Sequence, residues 1–168
     1  EPIAALPRNM PVVRVPDECT YYKEDAGKLM VGAFEPKAKP WGTCGIDDEH
    51  SFVTLPEDMD HFEPILASAI NRVPLLETAG IQLFFNGPES FTPDVRYYLG
   101  EAPEVKNLFM ATGFNSIGIQ SSGGAGLVLS QWIKNGHPPM DVNGIDIRRI
   151  HPFQSNSNYI RERVSESL

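Results

Sequence analysis

One passage limits the folds open to this chain more than any other. Leu108–Thr112 is a short apolar run with the length and composition of a strand. Fourteen residues follow in which Gly113, Gly118, Gly123, Gly124 and Gly126 recur. Ala125, Val128, Leu129, Trp132 and Ile133 then fall on one face at helical spacing, and Gly136 with Pro138 and Pro139 ends the run. A strand, a glycine-rich turn and a helix in succession belong to an α/β or α+β architecture and exclude an all-helical one. Two uses of the turn are open. Glycines let a ligand approach the backbone and the uncapped N–H groups of a helix start, or they allow close packing of helix on strand. The passage matches neither G-x-G-x-x-G nor G-x-x-x-x-G-K-[ST], so spacing alone does not choose.

The rest of the chain supports a mixed fold. Met10–Val15, Cys19–Lys23 and Lys28–Phe34 read as three strands of an antiparallel meander, with turns at Pro16-Asp17 and Glu24–Gly27. Pro36, Pro40, Gly42, Gly45 and Pro56 break any period across 35–56. A helix is expected from about Asp60, with Asp60 and Glu63 as a capping box. Phe62, Ile65, Leu66, Ala69, Ile70 and Val73 form its apolar face, and Pro74 ends it. Ile81–Phe85 reads as a further strand, leaving by Asn86-Gly87-Pro88. Phe91-Thr92-Pro93-Asp94 on its own is a reverse turn. Gln154–Asn158 reads as a linker, and Tyr159–Leu168 as the beginning of a helix or strand.

Composition sets the outer bounds. The 168 residues are 41% hydrophobic and 21% charged, enough apolar content for a packed core. The net charge is −8, concentrated in the first hundred residues, with an acid-rich, base-free stretch from Asp47 to Glu63. That argues against nucleic acid as a partner. The apolar runs are far shorter than the roughly 18 residues of a membrane helix, so no membrane partner is expected. Cys19 and Cys44 make no disulfide framework, and a reducing compartment is the expectation. His50, His61, His137 and His151 have no metal-ligand spacing, so no metal is expected. The chain starts Glu1-Pro2 with no targeting signal, as though it began inside a longer protein.

An ordered set of segments adds what spacing cannot. Asn71-Arg72-Val73-Pro74, Gly87-Pro88-Glu89-Ser90-Phe91-Thr92-Pro93-Asp94, Gly100-Glu101-Ala102-Pro103-Glu104, Gly113-Phe114-Asn115-Ser116, Gly123-Gly124, Asp146-Ile147-Arg148-Arg149 and Ile160-Arg161-Glu162-Arg163 occur in this order. Upstream lie Met10-Pro11-Val12-Val13-Arg14, Tyr21-Tyr22 and Val31-Gly32-Ala33-Phe34-Glu35-Pro36. Together they resemble the sarcosine and dimethylglycine dehydrogenases, FAD-dependent oxidoreductases of the D-amino-acid-oxidase superfamily. One departure stands out: the family's proline soon after Thr-Pro-Asp is replaced by Arg96, Tyr97 and Tyr98.

The resemblance implies a specific organisation. Residues 1–85 would form the later half of an antiparallel substrate-binding sheet domain. Residues 86–150 would return to a Rossmann-like FAD-binding domain. Residues 151–168 would lead toward a folate-binding aminomethyltransferase-like domain, through which tetrahydrofolate would act. The first half of the FAD domain, with its dinucleotide motif, would precede Glu1. The implied activity is oxidative demethylation of a small N-methyl amine, sarcosine or dimethylglycine, by hydride transfer to the flavin. Electrons would leave to an electron-transfer flavoprotein or to oxygen. The implied location is the cytoplasm of a bacterium or the mitochondrial matrix of a eukaryote. A relative with a regulatory role, the pyruvate dehydrogenase phosphatase regulator, shares much of the motif set and provides an alternative.

The same likeness nominates residues. Asn115, Ser116, Ile117, Gly118, Ile119 and Gln120 would line the flavin, assisted by a helix start at Gly123 to Gly126. Tyr21 or Tyr22 would be the active-site tyrosine. Neighbours on a strand face opposite sides, so only one can reach the pocket, and Tyr21 is favoured. Arg14, Arg72 and Arg96 are candidates for binding a substrate carboxylate.

Overall fold

A computed structural model of the chain describes residues 1–164. The chain divides into two compact units, one of residues 1–36 and 49–88, the other of residues 37–48 and 89–168.

The first unit is built on a three-stranded antiparallel sheet, β1 (Val13–Val15), β2 (Thr20–Asp25) and β3 (Lys28–Ala33), in that spatial order. The register pairs Arg14 with Tyr21 and Tyr21 with Gly32, while Val13 lies opposite Tyr22 and Tyr22 opposite Val31. The β2–β3 hairpin closes through Ala26 and Gly27, both at positive φ (50° and 80°). This is the geometry that matches the right-handed strand twist, and the Glu24 carboxylate accepts the Gly27 N–H at 2.8 Å. The β1–β2 connection is a single tight turn at Pro16–Glu18.

Helix α1 runs from Met59 to Arg72 and buries Ile65 and Ala69. Its cap is Asp58, whose side chain accepts the His61 N–H at 3.0 Å, so the helix starts two residues before the expected capping box. Asp58 wins because its carboxylate meets the third N–H of the helix, a donor with no internal acceptor. Pro64 lies within α1, where it cannot donate to the Asp60 carbonyl. Val73 ends the helix, and Pro74 opens a short 3₁₀ turn to Glu77.

The expected strand at Ile81–Phe85 is not formed. A strand requires a hydrogen-bonded neighbour, and among the described residues none pairs with it; Leu83 and Phe85 are largely exposed. Only Phe84 packs inward, edge-on against Phe62 at 5.4 Å.

The second unit holds a two-stranded antiparallel sheet, β4 (Tyr98–Glu101) and β5 (Phe109–Thr112). The partner of β5 within this chain is β4, from a stretch whose prolines and charges hid a strand. Helix α2 (Gly118–Asn135) packs on this sheet and ends at Gly136, whose N–H returns to the Trp132 carbonyl at 2.8 Å. Trp132 and Ala125 are buried as expected, but Ile133 is exposed. Trp132 approaches the backbone of Gly100 so closely that a Cβ there would lie 2.6 Å from its ring, and Gly100 has φ 121°. Glycine is required there on both counts.

Leu99 and Val142 complete this core. Residues 142–146 join it directly: the Leu99 N–H donates to the Ile145 carbonyl at 2.8 Å, and Asp146 bridges Leu99 in parallel. The 137–150 stretch is therefore part of this unit. Helix α3 (Ser157–Val164) occupies the expected position of a final element; its expected continuation over 165–168 lies outside the described residues. No described helix is long and apolar enough to cross a membrane.

Candidate cofactor site and substrate face

β5 delivers the chain to the start of α2 through a sharply bent loop. Asn115 (φ 49°) and Ser116 (φ 66°) are both left-handed, a conformation that costs an L-residue roughly 1–2 kcal/mol and that Asn tolerates best. Asn115 is 8% exposed and bonded on every side. Its amide donates to the Gly113 carbonyl at 2.7 Å, its side-chain oxygen accepts the Thr92 N–H at 2.7 Å, and its own N–H reaches the Ser90 carbonyl. The Ser116 hydroxyl donates to Glu89 at 3.0 Å.

The helix that follows has no side-chain cap. Ile117 N–H bonds the Phe114 carbonyl and Ser121 N–H the Ile117 carbonyl, while the N–H groups of Gly118, Ile119 and Gln120 find no acceptor among the described residues. Three uncommitted donors at the positive end of an 18-residue helix can stabilise an electron-rich or anionic group. The helix begins at Gly118, which corrects the expected start at Gly123 to Gly126. Those glycines lie inside α2, and a Cβ at Gly123, Gly124 or Gly126 would meet nothing within 4 Å.

A cleft of 290 Å³ opens at this helix start, lined by Glu89, Ser90, Phe114, Asn115, Gly118 and Ile119 among others. Ile119 is 97% exposed beside it, and Phe114 is stacked on Tyr97 at 4.7 Å. Among the described residues no lysine or arginine lines the cleft, and Glu89 stands at its edge. That set of groups suits the electron-rich edge of a heteroaromatic ring, and the acid at its edge counts against a phosphate, which the N–H groups alone could otherwise hold. The residues present fit the isoalloxazine part of FAD better than its pyrophosphate. Of the expected residues, Asn115, Ser116, Gly118 and Ile119 line the cleft; Ile117 and Gln120 belong to the same loop and first helical turn.

The two tyrosines lie in the other unit, and β2 sends them to opposite sides. Tyr22 is 2% exposed, beside Thr20 at 0%, and its hydroxyl has no hydrogen-bond partner among the described residues. Tyr21 lies on the other face, its ring flat over Gly32, where a Cβ would stand 2.0 Å from the ring carbon that carries the hydroxyl. Phe34 packs against Tyr21 at 5.4 Å, and the Arg14 guanidinium lies 4.8 Å above the Phe34 ring. One sheet face thus displays a phenol, a guanidinium and an aromatic floor.

The three candidate arginines separate by their partners. Arg72 forms a two-pronged pair with Glu18 at 2.6 and 2.8 Å, whose hydrogen bond raises the Arg72 pKa and lowers that of Glu18. Arg96 directs its side chain toward Gly144. Arg14 has no carboxylate partner among the described residues. Sequence reading passed over Arg149 and Arg163, which converge on the Thr92–Asp94 turn. The signal available was their place in two of the family-like segments, Asp146-Ile147-Arg148-Arg149 and Ile160-Arg161-Glu162-Arg163.

Residues 1–132 match the family model described as FAD dependent oxidoreductase, and residues 135–168 match the FAD dependent oxidoreductase central domain. The chain is 42% identical, over 95% of its length, to 4-methylaminobutanoate oxidase (formaldehyde-forming) of Paenarthrobacter nicotinovorans. It is 41% identical over 95% to mitochondrial sarcosine dehydrogenase of Homo sapiens. It is 38% identical over 97% to the mitochondrial pyruvate dehydrogenase phosphatase regulatory subunit of Mus musculus. It spans 19%, 17% and 18% of the lengths of these three relatives. With more than three quarters of its residues inside one family model and the ordered motifs in place, the chain belongs to the FAD dependent oxidoreductases.

Proposed function

We propose that this chain is part of an FAD-dependent oxidoreductase that oxidatively demethylates a small N-methyl amino acid. The observation that carries the reading is the cleft at the start of α2, with three uncommitted N–H donors and no basic side chain. Asn115, Ser116, Gly118 and Ile119 would hold the ring system, with Ile117 and Gln120 completing the turn. When bound, FAD supplies the acceptor for the two electrons and one hydrogen removed from the N-methyl carbon.

The chain's own residues then divide the remaining work. The Gly118, Ile119 and Gln120 N–H groups place positive potential where electron density increases during the reaction, and the fixed α2 start needs no reorganisation to do so. The Tyr21 hydroxyl orients the amine nitrogen, which must be neutral to release a hydride from its methyl group. Arg14 attracts the substrate carboxylate to the same sheet face, and Phe34 provides the apolar floor. Tyr22, closed off on the far face, serves packing.

The domain reading follows the same lines. Residues 1–85 form the later half of the substrate domain, residues 86–150 the return of the FAD domain, and residues 151–168 the approach to a folate-binding domain. In support, the two compact units part at Pro88 and Glu89, while residues 37–48 cluster with the second unit. Sarcosine and dimethylglycine are the proposed substrates, an electron-transfer flavoprotein or oxygen the acceptor, and the mitochondrial matrix the location in a eukaryote.

Dye-coupled turnover of the full-length protein with N-methylglycine, N,N-dimethylglycine and 4-methylaminobutanoate, with formaldehyde measured alongside, tests this reading. Turnover with release of one formaldehyde per two electrons is expected. A flavin-loaded protein inert toward all three would instead place it with the regulatory relative.

A further inference from the structure

The turn at Thr92 to Arg96 lies outside the cleft lining, yet it is bonded on both sides. On one side is the loop that opens α2. Thr92 is 3% exposed, its N–H holds the Asn115 side-chain oxygen at 2.7 Å, and its hydroxyl lies 3.3 Å from the Asn115 amide nitrogen. On the other side is a pair of arginines from later in the chain. Arg149 grips Asp94 through two nitrogens at 2.8 and 3.0 Å, and Arg163 donates to the Pro93 carbonyl at 3.1 Å. Arg149 is itself immobilised: it also donates to the carbonyls of Arg96 and Asp146 and lies over the Tyr98 ring at 4.3 Å. Its side chain is only 16% exposed. The Asp94 carboxylate additionally accepts the Arg96 N–H and stands 3.2 Å from the Thr92 hydroxyl, which closes the turn.

The held object is a strained one. Asn115 and Ser116 are consecutive left-handed residues, and neither is glycine. Asn115 keeps that conformation because both ends of its carboxamide are occupied, by Thr92 and by Gly113. Releasing Thr92 would let the pair relax, and the free N–H groups of Gly118, Ile119 and Gln120 would turn with it.

We infer that Thr92 and the Asp94–Arg149 pair are positioning residues that fix the start of α2, through Asn115, against the flavin ring. The inference rests on the proposed placement of the flavin at residues 115–120. It has a consequence for the whole chain. Arg149 belongs to the segment that matches the central-domain model, whereas Thr92 and Asn115 belong to the segment that matches the first model. The clamp therefore links the central-domain segment mechanically to the cofactor loop.

The test uses the full-length, FAD-loaded protein and reads the two-electron midpoint potential and the FAD dissociation constant. Thr92→Val, Thr92→Ser, Arg149→Met and Asp94→Asn are compared, with Gly118→Val as a control that touches the loop directly. Thr92→Val and Arg149→Met are expected to weaken FAD binding about tenfold. They are also expected to lower the preference for reduced flavin about tenfold, which is a potential about 30 mV more negative. Thr92→Ser, which keeps the hydroxyl, retains the wild-type values. If Arg149→Met does not fold, Asp94→Asn, which keeps the shape and removes the charge, carries the same expectation. Folded variants with wild-type potential and affinity, beside a shifted Gly118→Val, would overturn the clamp alone. An unshifted Gly118→Val would overturn the flavin placement beneath it.

Discussion

Tyr21 and Tyr22 are adjacent in sequence and are given opposite surroundings by the strand pleat. Tyr22 is sealed with its hydroxyl unpaired, and an unsatisfied buried polar group costs roughly 1–3 kcal/mol. Tyr22→Phe is therefore expected to leave flavin reduction unchanged and to hold or raise the melting temperature. Tyr21→Phe should do the reverse: little change in melting temperature, because the ring still covers Gly32, and slower anaerobic reduction of the flavin by substrate. Stopped-flow absorbance and thermal melts on the same two variants check both. Equal rates in Tyr21→Phe and wild type would remove Tyr21 from the proposed site.

Asp94 is a second residue with a measurable signature. Burial pushes its carboxyl up, but the hydrogen bonds from Arg149 and from the Arg96 N–H outweigh that and bring it below its ordinary value. A depressed folded-state pKa means the pair stabilises the protein fully above the ordinary aspartate value. That stabilisation is lost as pH falls through the lowered value, in the acid range below about pH 4. An acid titration followed by circular dichroism should show wild type losing structure in that window. Asp94→Asn should be less stable near neutrality and less sensitive to the same acidification. A variant with the wild-type acid profile would show that the pair contributes nothing to folding.

At the scale of elements, the meander and the two long helices were legible because their periods of 2 and 3.6 are clean. The hairpin at Ala26-Gly27, the stop at Pro74 and the cap at Gly136 each follow from local chemistry. The misreadings have physical causes. Asp58 displaced Asp60 as the cap because two aspartates stood within reach of the same helix start. β4 was hidden by proline and charge on both sides, and is a strand because β5 and residues 145–146 provide ladder partners from far along the chain. The apolar Ile81–Phe85 run has the composition of a strand and no partner among the described residues. In the candidate site, the loop residues were legible through the family motifs. The Arg149–Asp94 clamp was not, because it joins positions separated by 55 residues.

The interior glycines of α2 make a prediction at the same scale. Gly124 is inside the helix, where glycine is about 1 kcal/mol worse than alanine, and a Cβ there meets no neighbour within 4 Å. Among the described residues nothing opposes a side chain at Gly124. In the full-length protein, Gly118→Val, at the helix start, is expected to lower the flavin bound per protein, read from absorbance after gel filtration, whereas Gly124→Val is expected to leave it unchanged. Unchanged flavin content in Gly118→Val would mean that this helix start does not approach the cofactor.

At the scale of the whole molecule, the chain carries two complementary parts. One is an antiparallel sheet whose open face presents Tyr21, Arg14 and Phe34. The other is a helix start whose free N–H groups face a cleft with no basic side chain. In the proposed reading the first would take the carboxylate of an amino acid and the second a redox-active ring. Their occurrence in one chain of the FAD dependent oxidoreductase family is what leads to the proposed demethylation. The most direct measurement is anaerobic mixing of the full-length, flavin-loaded protein with N-methylglycine, following the oxidised flavin band and the formaldehyde formed. The account predicts bleaching of that band with one formaldehyde per flavin reduced. A band that persists with N-methylglycine, N,N-dimethylglycine and 4-methylaminobutanoate alike would contradict it.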